Sequence, residues 1–530
     1  MKKIGFKSLI LLVAVVAGLS SCRKEGDIIL SYGQNDRQAF TMAETSFRAQ
    51  FVSLWTALNC NYGIWDYEEK FGLDWDAVKA EFEPQFAALD EKEEVTDEEF
   101  KGLYAKVLYP LHDGHLFVQV KNLSTGSFLG FSPSNNRNQS ERAEDMQRDK
   151  AFTADVMAYS HMKSSPLEIT ESFTTDDPQK LLVEQILGVQ SEIIKPYIEE
   201  GAPSADASEK DKQIYNYCIS FDEEATVVSQ LMYQDKKESA AIAHALEMVD
   251  KYEMLGSMLG FQLDPVDTSI SSYALDVQYH LIEGSIPYIY ISGFSLTPWL
   301  SDDAYAGLLP AGYPTTDAYR AEILAAWNGW MNAIASLKAE NKLKGVIIDI
   351  RSNGGGMMND FQYLVGALLP SGNFSYHKVR TKQGIGRLDY APAVDFYFPT
   401  LEGDHTIVDD VPIVAMCNSQ SVSMAEMSSA AVKSLPNGYL VGTRTWGGLC
   451  GLNTDPANYS MEYASVVGVK DVTSFFGYIP YMVSIFPGEG ILEGVGVTPD
   501  IEVNYDPALH ESTGRDTQLE RAVDFILNGR

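Results

Sequence analysis

Ser423 stands where the sequence predicts that a strand turns into a helix. Residues 412–417 form an apolar run typical of a buried strand, and the small residues at 424–434 favour a helix. At such a turn the Ser423 hydroxyl would be exposed, and the backbone N–H of Met424 would point to the same place. A nucleophile beside an oxyanion donor is the arrangement that acyl transfer needs. The alternative is an ordinary helix N-cap, a position that serine often occupies.

A second turn contains three successive glycines, residues 354–356, between a predicted buried strand at residues 345–350 and a predicted helix at residues 357–369. Glycine lets the backbone approach a ligand closely, and free N–H groups at such a turn bind anions or developing oxyanions. A phosphate-binding loop is the alternative, but the Lys-Ser/Thr pair of a P-loop is missing and G-x-G-x-x-G is not matched. The turn predicts an oxyanion hole built from Gly355 and the N–H of Met424.

Together the two turns resemble the tail-specific, or C-terminal-processing, serine protease family. That family carries an Asp-x-Arg-x-Asn-x-Gly-Gly turn, a Ser-x-x-Glu nucleophile segment and a closing segment that matches residues 493–503. The matching residues of the first two motifs are Asp349, Arg351, Asn353, Gly355, Gly356, Ser423 and Glu426. The resemblance covers roughly the last 250 residues, and it implies a serine peptidase with Ser423 as the nucleophile.

One branch of this family uses a lysine base, which lies in a Thr-Phe-Gly-Lys-Gly turn after the serine. Here residues 445–449 read Thr-Trp-Gly-Gly-Leu, so Gly448 stands at the position of the lysine. The nearest cations are Arg444, which does not deprotonate in proteins, and Lys433, which we expect on the solvated face of a helix. A Ser-Lys mechanism is not expected.

A histidine offers a different base. Residues 111–116, Leu-His-Asp-Gly-His-Leu, resemble the Asp-Gly-His turn of the tricorn-like branch, in which histidine replaces lysine. With an ordinary pKa of about 6.5, histidine can take the serine proton and return it to the leaving amine near neutral pH. His112 competes, but only His115 lies at the matching position. The region before the turn resembles that branch in its aromatic residues and Asp-Trp-Asp start: Phe51, Trp55, Tyr62, Trp75 and Asp76.

The same branch carries a supporting glutamate in a Glu-x-x-Gly-Val-x-Pro-Asp segment, and Glu493 stands at that position. The alternative for Glu493 is a carboxylate on a surface turn. The branch's serine directly before the histidine is replaced by Gly114. The remaining histidines lie singly, so we predict no metal and no cofactor: His161, His244, His280, His377, His405 and His510.

The N-terminus predicts a lipoprotein signal peptide. A basic start and a short apolar run lead to Leu-Ser-Ser-Cys at residues 19–22, which matches a bacterial lipobox. The apolar run is too short to span a membrane. A simple secretory signal with a chance cysteine is the alternative. Lipid on Cys22 would anchor the protein in the cell envelope, on the periplasmic face or the outer surface of the outer membrane.

The chain is strongly acidic, with a formal net charge of −33. Such a charge opposes binding to nucleic acid and to anionic lipid surfaces, so we predict no nucleic-acid partner. The cysteines beyond Cys22 are too few and too dispersed for a disulfide framework. The expected partners are a peptide or protein substrate and, through Cys22, a membrane; the oligomeric state is left open.

The sequence divides into five predicted regions. These are a signal peptide (1–21), a linker (22–39), a helical N-terminal region (40–123), a mostly helical insert (124–282) and the peptidase core (283–530). Alternating strands and helices from residue 286 predict a parallel α/β core, and the family resemblance implies a crotonase- or ClpP-like spiral. The insert lacks a Gly-Leu-Gly-Phe loop, so it is either a divergent peptide-binding domain or a helical cap.

Individual elements are also predicted from periodicity, caps and composition. We predict helices at residues 47–58, 75–89, 178–195, 239–255, 317–339 and 516–527, strands at 116–120, 286–291 and 439–443, and loops at 132–140 and 201–208.

The resulting hypothesis is a membrane-anchored serine endopeptidase or carboxyl-terminal processing peptidase, with Ser423 as nucleophile, His115 as base and Glu493 in support. The alternative is a non-catalytic peptide- or ligand-binding lipoprotein that keeps the protease fold. The missing lysine motivates that alternative.

Overall fold

The computed structural model describes residues 45–157, 167–174, 183, 186–204, 206–234, 238–259, 275–303, 314–382, 386–451 and 466–529. The predicted signal peptide, the predicted linker and Cys22 lie outside the described residues. The chain forms two compact units, each assembled from separate stretches of sequence. The first unit comprises residues 1–143, 375–397 and 446–496, and the second comprises residues 144–374, 398–445 and 497–530. The five-region division of the sequence stays a prediction.

The first unit begins with helices whose starts are fixed by polar caps. Ser46 accepts a hydrogen bond from the N–H of Ala49, and Asp74 accepts from Asp76 and Ala77. The helices are Phe47–Asn61, Trp65–Glu68, Trp75–Leu89, Asp97–Leu108 and Pro133–Glu141, with a 3₁₀ turn at Glu69–Phe71. The predicted loop at 132–140 is wrong, because Pro133 occupies the first helical turn, where proline is well tolerated.

Two antiparallel sheets complete the first unit. One has the strand order Val466–Val467, Phe475–Tyr478, Phe117–Lys121, Phe128–Phe131, and the other has the order Met482–Ile485, Lys378–Thr381, Val394–Asp395. Aromatic residues fill the core beside the first sheet. Phe51 stacks on Phe86 with ring centroids 4.5 Å apart, and each indole N–H of Trp55 and Trp75 donates to the other residue's carbonyl. Phe51, Trp55 and Trp75 are among the aromatic residues singled out in the sequence.

A mixed seven-stranded sheet forms the centre of the second unit. Its strand order is Ile501–Glu502, Gly438–Gly442, Ile413–Cys417, Val346–Asp349, Ile286–Ile291, Val277–Ile282, Ile169–Thr174. The first five strands are parallel, and the last two pair antiparallel. The α/β prediction is confirmed, and its parallel part begins at Ile286 as expected. The antiparallel strands come from the stretch predicted as an insert.

Helices of the second unit surround this sheet or form a separate apolar cluster. They are Ala143–Met157, Lys195–Glu199, Glu209–Ser229, Glu238–Glu247, Val249–Leu259, Thr297–Leu300, Pro314–Ala339, Met424–Ser434, Pro507–Thr513 and Thr517–Asn528. The predicted helix at 239–255 is two helices, and the one at 178–195 begins outside the described residues. A two-stranded sheet pairs Asn373–Phe374 with Phe398–Pro399. Among the helices described, none is long and apolar enough to cross a membrane.

The predicted helix at residues 357–369 is wrong. The segment instead forms two short 3₁₀ turns, Met358–Tyr363 and Gly366–Leu368. Between them Leu364 leaves the helical region, with φ −119° and ψ −91°. The Asp360 carboxylate is turned away to accept the backbone N–H groups of Leu296 and Thr297. Tertiary contacts override the apolar spacing that suggested a continuous helix.

Candidate active site

Ser423 lies between the buried strand Ile413–Cys417 and the helix Met424–Ser434, as predicted. Its backbone has φ 58° and ψ −117°, a sparsely populated conformation that costs a non-glycine residue on the order of 1–3 kcal/mol. Two capping serines of this chain, Ser46 and Ser208, are instead extended, with φ −133° and −61°. Ser423 is the N-cap of the helix and forms a capping box with Glu426, but its strained backbone differs from that of these two caps and is typical of a strand-to-helix elbow.

Glu426 holds this elbow in place. It is fully buried, and its Oε2 accepts the backbone N–H of Ser423 at 3.2 Å. Its Oε1 accepts the hydroxyl of Thr445 at 2.6 Å, and that hydroxyl accepts the N–H of Val497 at 2.7 Å. Glu426 therefore holds the Ser423 turn in place, since it connects this turn to two distant segments of the second unit.

The glycine turn meets the same elbow. A Cβ added to Gly355 would lie 2.6 Å from Ser423 Cβ and 3.0 Å from the nitrogen of Met424, so only glycine fits. Gly355 also has φ 90°, which favours glycine. Its N–H, however, donates to the Asn353 side chain at 2.8 Å. This N–H would have to leave Asn353 to stabilise an oxyanion, whereas the N–H of Met424 lies at a helix start, where N–H groups lack an intrahelical partner.

A buried arginine, Arg351, stabilises the strand end that precedes the glycine turn. Arg351 is fully buried, and its Nη2 lies 2.5 Å from Asp349 and 2.8 Å from Asp516. Its Nη1 donates to Gln518 at 3.0 Å, and its guanidinium lies 4.0 Å from the Phe152 ring centroid. Asp516 and Gln518 begin the helix Thr517–Asn528 and were not singled out from the sequence. Arg351 therefore connects the end of the strand Val346–Asp349, just before the glycine turn, to this helix.

Replacing Arg351 by methionine should destabilise the protein by about 3–5 kcal/mol, because Asp349 and Asp516 would stay buried without their cation. Urea unfolding measures this loss. Arg515→Met is the matched control, since Arg515 pairs with Glu520 on the surface and its loss should change stability little. Equal effects of the two substitutions would contradict the structural role of Arg351.

In the first unit, side chains fix the backbone of the turn that carries His115. Asp113 Oδ1 accepts the N–H groups of His115 and Leu116 at 2.8 and 2.9 Å. Arg137 donates to the His112 carbonyl at 2.9 Å, and the Ser134 hydroxyl donates to the Asp113 carbonyl at 2.6 Å. Ser134 and Arg137 belong to the helix that the sequence analysis took for a loop.

Glu493 is buried, not on a surface turn as the alternative proposed. Its Oε1 accepts the N–H of Gly114, and its Oε2 accepts the N–H groups of Leu449 and Cys450 at 2.6 and 2.5 Å. The carboxylate connects the Asp-Gly-His turn to the turn that carries a lysine in the other branch. Within the first unit it supports the position of His115.

The backbones of Gly114 and Gly448 pack directly against each other. A Cβ added to Gly114 would lie 2.3 Å from Gly448 Cα and 2.6 Å from the carbonyl oxygen of Gly447. The serine that the tricorn-like branch places before the histidine would not fit against this backbone. Gly114 and Gly448, the two residues at which this chain departs from the family motifs, are therefore in contact with each other.

Burial lowers the pKa of His115 to about 4, and a hydrogen bond with the backbone of Cys450 opposes part of that shift. Burial raises the pKa of the neighbouring Asp113 carboxyl to about 7, although the N–H groups of His115 and Leu116 favour its ionised form. His115 is therefore neutral at neutral pH, the state that a general base needs. His112 instead places Nδ1 2.6 Å from Glu68 and stacks on Phe71, so it is held in a different contact.

Three side chains of the first unit converge although the sequence predicts no metal site. One ligand atom each of Asp113, His115 and Glu493 lies within 4.8 Å of the others. Histidine spacing could not reveal this group, since Glu493 lies far from the Asp-Gly-His turn in sequence. No second group of this kind occurs in the described ranges, and His161 lies outside them.

Lys433 is at the wrong end of its helix to act on Ser423. It occupies the last turn of Met424–Ser434, about 14 Å along the axis from the helix start. Its Nζ donates to the Thr498 carbonyl at 3.0 Å, so it is not the fully solvated lysine that we expected. The structure gives no support to Lys433 as a base.

Comparison with known proteins identifies the domain. Residues 288–503 match the model of peptidase family S41. The tricorn protease of Thermoplasma volcanium is 29% identical over 189 residues, which are 36% of this chain and 15% of that protein. The carboxy-terminal-processing protease of Bartonella bacilliformis is 26% identical over 179 residues, 34% of this chain and 35% of that protein. The chain thus spans well under two thirds of the length of these relatives.

Solved structures were matched with TM-scores below 0.5. The tricorn protease structure is 21% identical and covers 47% of this chain and 18% of that chain, with a TM-score of 0.27. Mature CPAF is 11% identical and covers 91% of this chain and 98% of that chain, with a TM-score of 0.44. Residues 288–503 of this chain thus form a domain similar to peptidase family S41.

Proposed function

We propose that the protein is a serine peptidase that hydrolyses peptide bonds through an acyl-enzyme on Ser423, with His115 as the base. The observation that carries the proposal is the strained elbow at Ser423, whose hydroxyl lies at a helix start beside Gly355. The match of residues 288–503 to peptidase family S41 supports the reaction class, and the tricorn and carboxy-terminal-processing relatives are named as proteases. Peptides or proteins are the corresponding substrates.

In the proposed mechanism, His115 accepts the proton of Ser423 while the serine oxygen attacks the scissile carbonyl. The N–H of Met424 stabilises the resulting oxyanion, joined by the N–H of Gly355 once Asn353 releases it. His115 then donates the proton to the leaving amine. In the second half of the reaction His115 takes a proton from water, the water oxygen attacks the acyl-enzyme, and His115 returns the proton to the Ser423 oxygen as the acid product leaves. Glu493 acts by holding the backbone of the His115 turn.

The rival function is a non-catalytic binding protein on the same fold. Two observations favour it: Gly448 replaces the family lysine, and the Gly355 N–H is engaged by Asn353. A fluorophosphonate probe separates the two functions, because only an activated serine reacts with it. Labelling that disappears in Ser423→Ala supports the peptidase, whereas an unlabelled protein that still binds peptides supports the rival.

We also propose that lipid on Cys22 anchors the protein in the cell envelope. The support is the lipobox at residues 19–22 and a preceding apolar run too short to span a membrane. Replacing Cys22 by serine should move the protein from the membrane to the soluble fraction, because the acyl chains supply the binding energy. Fractionation after a salt wash measures this shift. A mutant that stays with the membrane would show a different attachment.

A further inference from the structure

We propose that Asp113, His115 and Glu493 form a binding site for a divalent transition cation, and that Zn²⁺ in this site switches the peptidase off. One ligand atom of each residue lies within 4.8 Å of the other two. The inhibitory effect rests on the proposed function, because it requires His115 to be the base. Cation binding itself does not depend on that proposal.

Two polar side-chain atoms of this group have no hydrogen-bond partner. Asp113 is fully buried, and its Oδ1 accepts two backbone N–H groups. In the described part of the chain, Asp113 Oδ2 and His115 Nδ1 are buried and have no hydrogen-bond partner. Leaving such buried atoms unpaired costs free energy, and a bound cation would remove that cost.

Glu493 is the third member of the group. Its carboxylate accepts the N–H groups of Gly114, Leu449 and Cys450, and one of its oxygens lies within 4.8 Å of a ligand atom of Asp113 and of His115. These N–H groups also fix the carboxylate at the edge of the His115 turn. The group is therefore held by backbone contacts on both sides, from the Asp113 turn and from the Glu493 segment.

The donor set selects the kind of cation. One imidazole nitrogen with two carboxylate oxygens suits Zn²⁺, which binds such donors at about 2.0–2.2 Å and leaves a fourth position for water. Ca²⁺ would need six or more oxygen ligands, and this group offers two carboxylates. Tetrahedral Zn²⁺ requires donors about 3.4 Å apart, so binding would draw the His115 and Asp113 side chains inward.

Binding at Nδ1 has a direct chemical consequence for His115. With Nδ1 coordinated, the remaining ring proton is fixed on Nε2, and neither nitrogen keeps a lone pair for the serine proton. Zn²⁺ should lower turnover without changing the protein covalently. A chelator that removes the cation should restore the activity.

Calorimetric titration with zinc chloride tests the site in Ser423→Ala, in which no peptidase activity is needed. We expect one saturable site, and a loss of affinity of about tenfold or more in His115→Ala, Asp113→Asn and Glu493→Gln. His405→Ala is the control, since His405 lies in the second unit and contacts the carbonyls of Gly403 and Leu369. The His405→Ala variant should bind Zn²⁺ with unchanged affinity.

No saturable binding, or unchanged affinity in His115→Ala, would overturn the site. The His115 substitution decides the question if Asp113→Asn or Glu493→Gln unfolds, because the side chains of Asp113, Ser134 and Arg137 hold the backbone of the turn and the His115 ring does not. Zinc binding that depends on His115 in a protein without peptidase activity would refute the proposed function and keep the site. Peptidase activity that Zn²⁺ does not affect would refute the switch.

Discussion

Replacing Ser423 by alanine is expected to lower peptide hydrolysis by on the order of 10⁴-fold or more, because the acyl-enzyme can no longer form. The fold should persist, since Ser423 is held through its backbone, whose N–H is accepted by Glu426. Removing a side chain from a residue at φ 58° does not add strain. Peptide turnover and fluorophosphonate labelling, with circular dichroism to check the fold, measure the outcome.

Ser434→Ala is the matched control for this experiment. Ser434 lies at the other end of the same helix, where its hydroxyl donates to the Ala431 carbonyl. Its loss should leave turnover within a few-fold of wild type. Ser421 is excluded as the nucleophile by its contacts, because its buried hydroxyl donates to the Ile350 carbonyl and accepts the N–H of Asn418. Hydrolysis by Ser423→Ala within a few-fold of wild type would remove Ser423 from the mechanism.

The turn at Ser423 could be predicted because the sequence features that indicate it are local. An apolar run of about six residues predicts a buried strand, and small residues after it predict a helix. The strand is Ile413–Cys417 and the helix is Met424–Ser434, within one residue of the predicted bounds. The backbone angles of Ser423 follow from the tight change of direction between these two elements.

Long-range contacts were not predictable in the same way. Arg351 meets Asp516 and Gln518 across more than 160 residues, and no periodicity links these positions. Glu493 reaches the N–H of Gly114 across 379 residues. The family motifs marked Arg351 and Glu493 as important, but only the structure shows what each side chain touches.

Local patterns misled where tertiary contacts were stronger. The polar segment 132–140 resembled a loop, yet it forms a helix that is anchored when Arg137 and Ser134 bind the backbone of the His115 turn. The Gly355 N–H, which the motif predicts to line an oxyanion hole, donates in this structure to the Asn353 side chain two residues before it. Periodicity and composition do not predict either of these hydrogen bonds.

Replacing His115 by alanine is expected to lower turnover by on the order of 10²-fold or more, the usual contribution of a general base. The pH profile identifies the base more directly. Because burial lowers the pKa of His115 to about 4, the neutral form persists well below neutral pH. Activity should fall as the pH drops through about 4 and stay level above it, whereas an unperturbed histidine would already be about 90% protonated at pH 5.5.

The profile is measured as kcat/KM in buffer with a chelator, so that no cation competes for His115. Lys433→Ala is the control, and we expect little change, because Lys433 lies in the last turn of the nucleophile helix and donates to the Thr498 carbonyl. A lysine base would place the rising limb well above the histidine range, since even a depressed lysine pKa rarely falls that low. If Lys433 proved essential and His115 dispensable, the base would be a lysine and the Ser-His mechanism would be refuted.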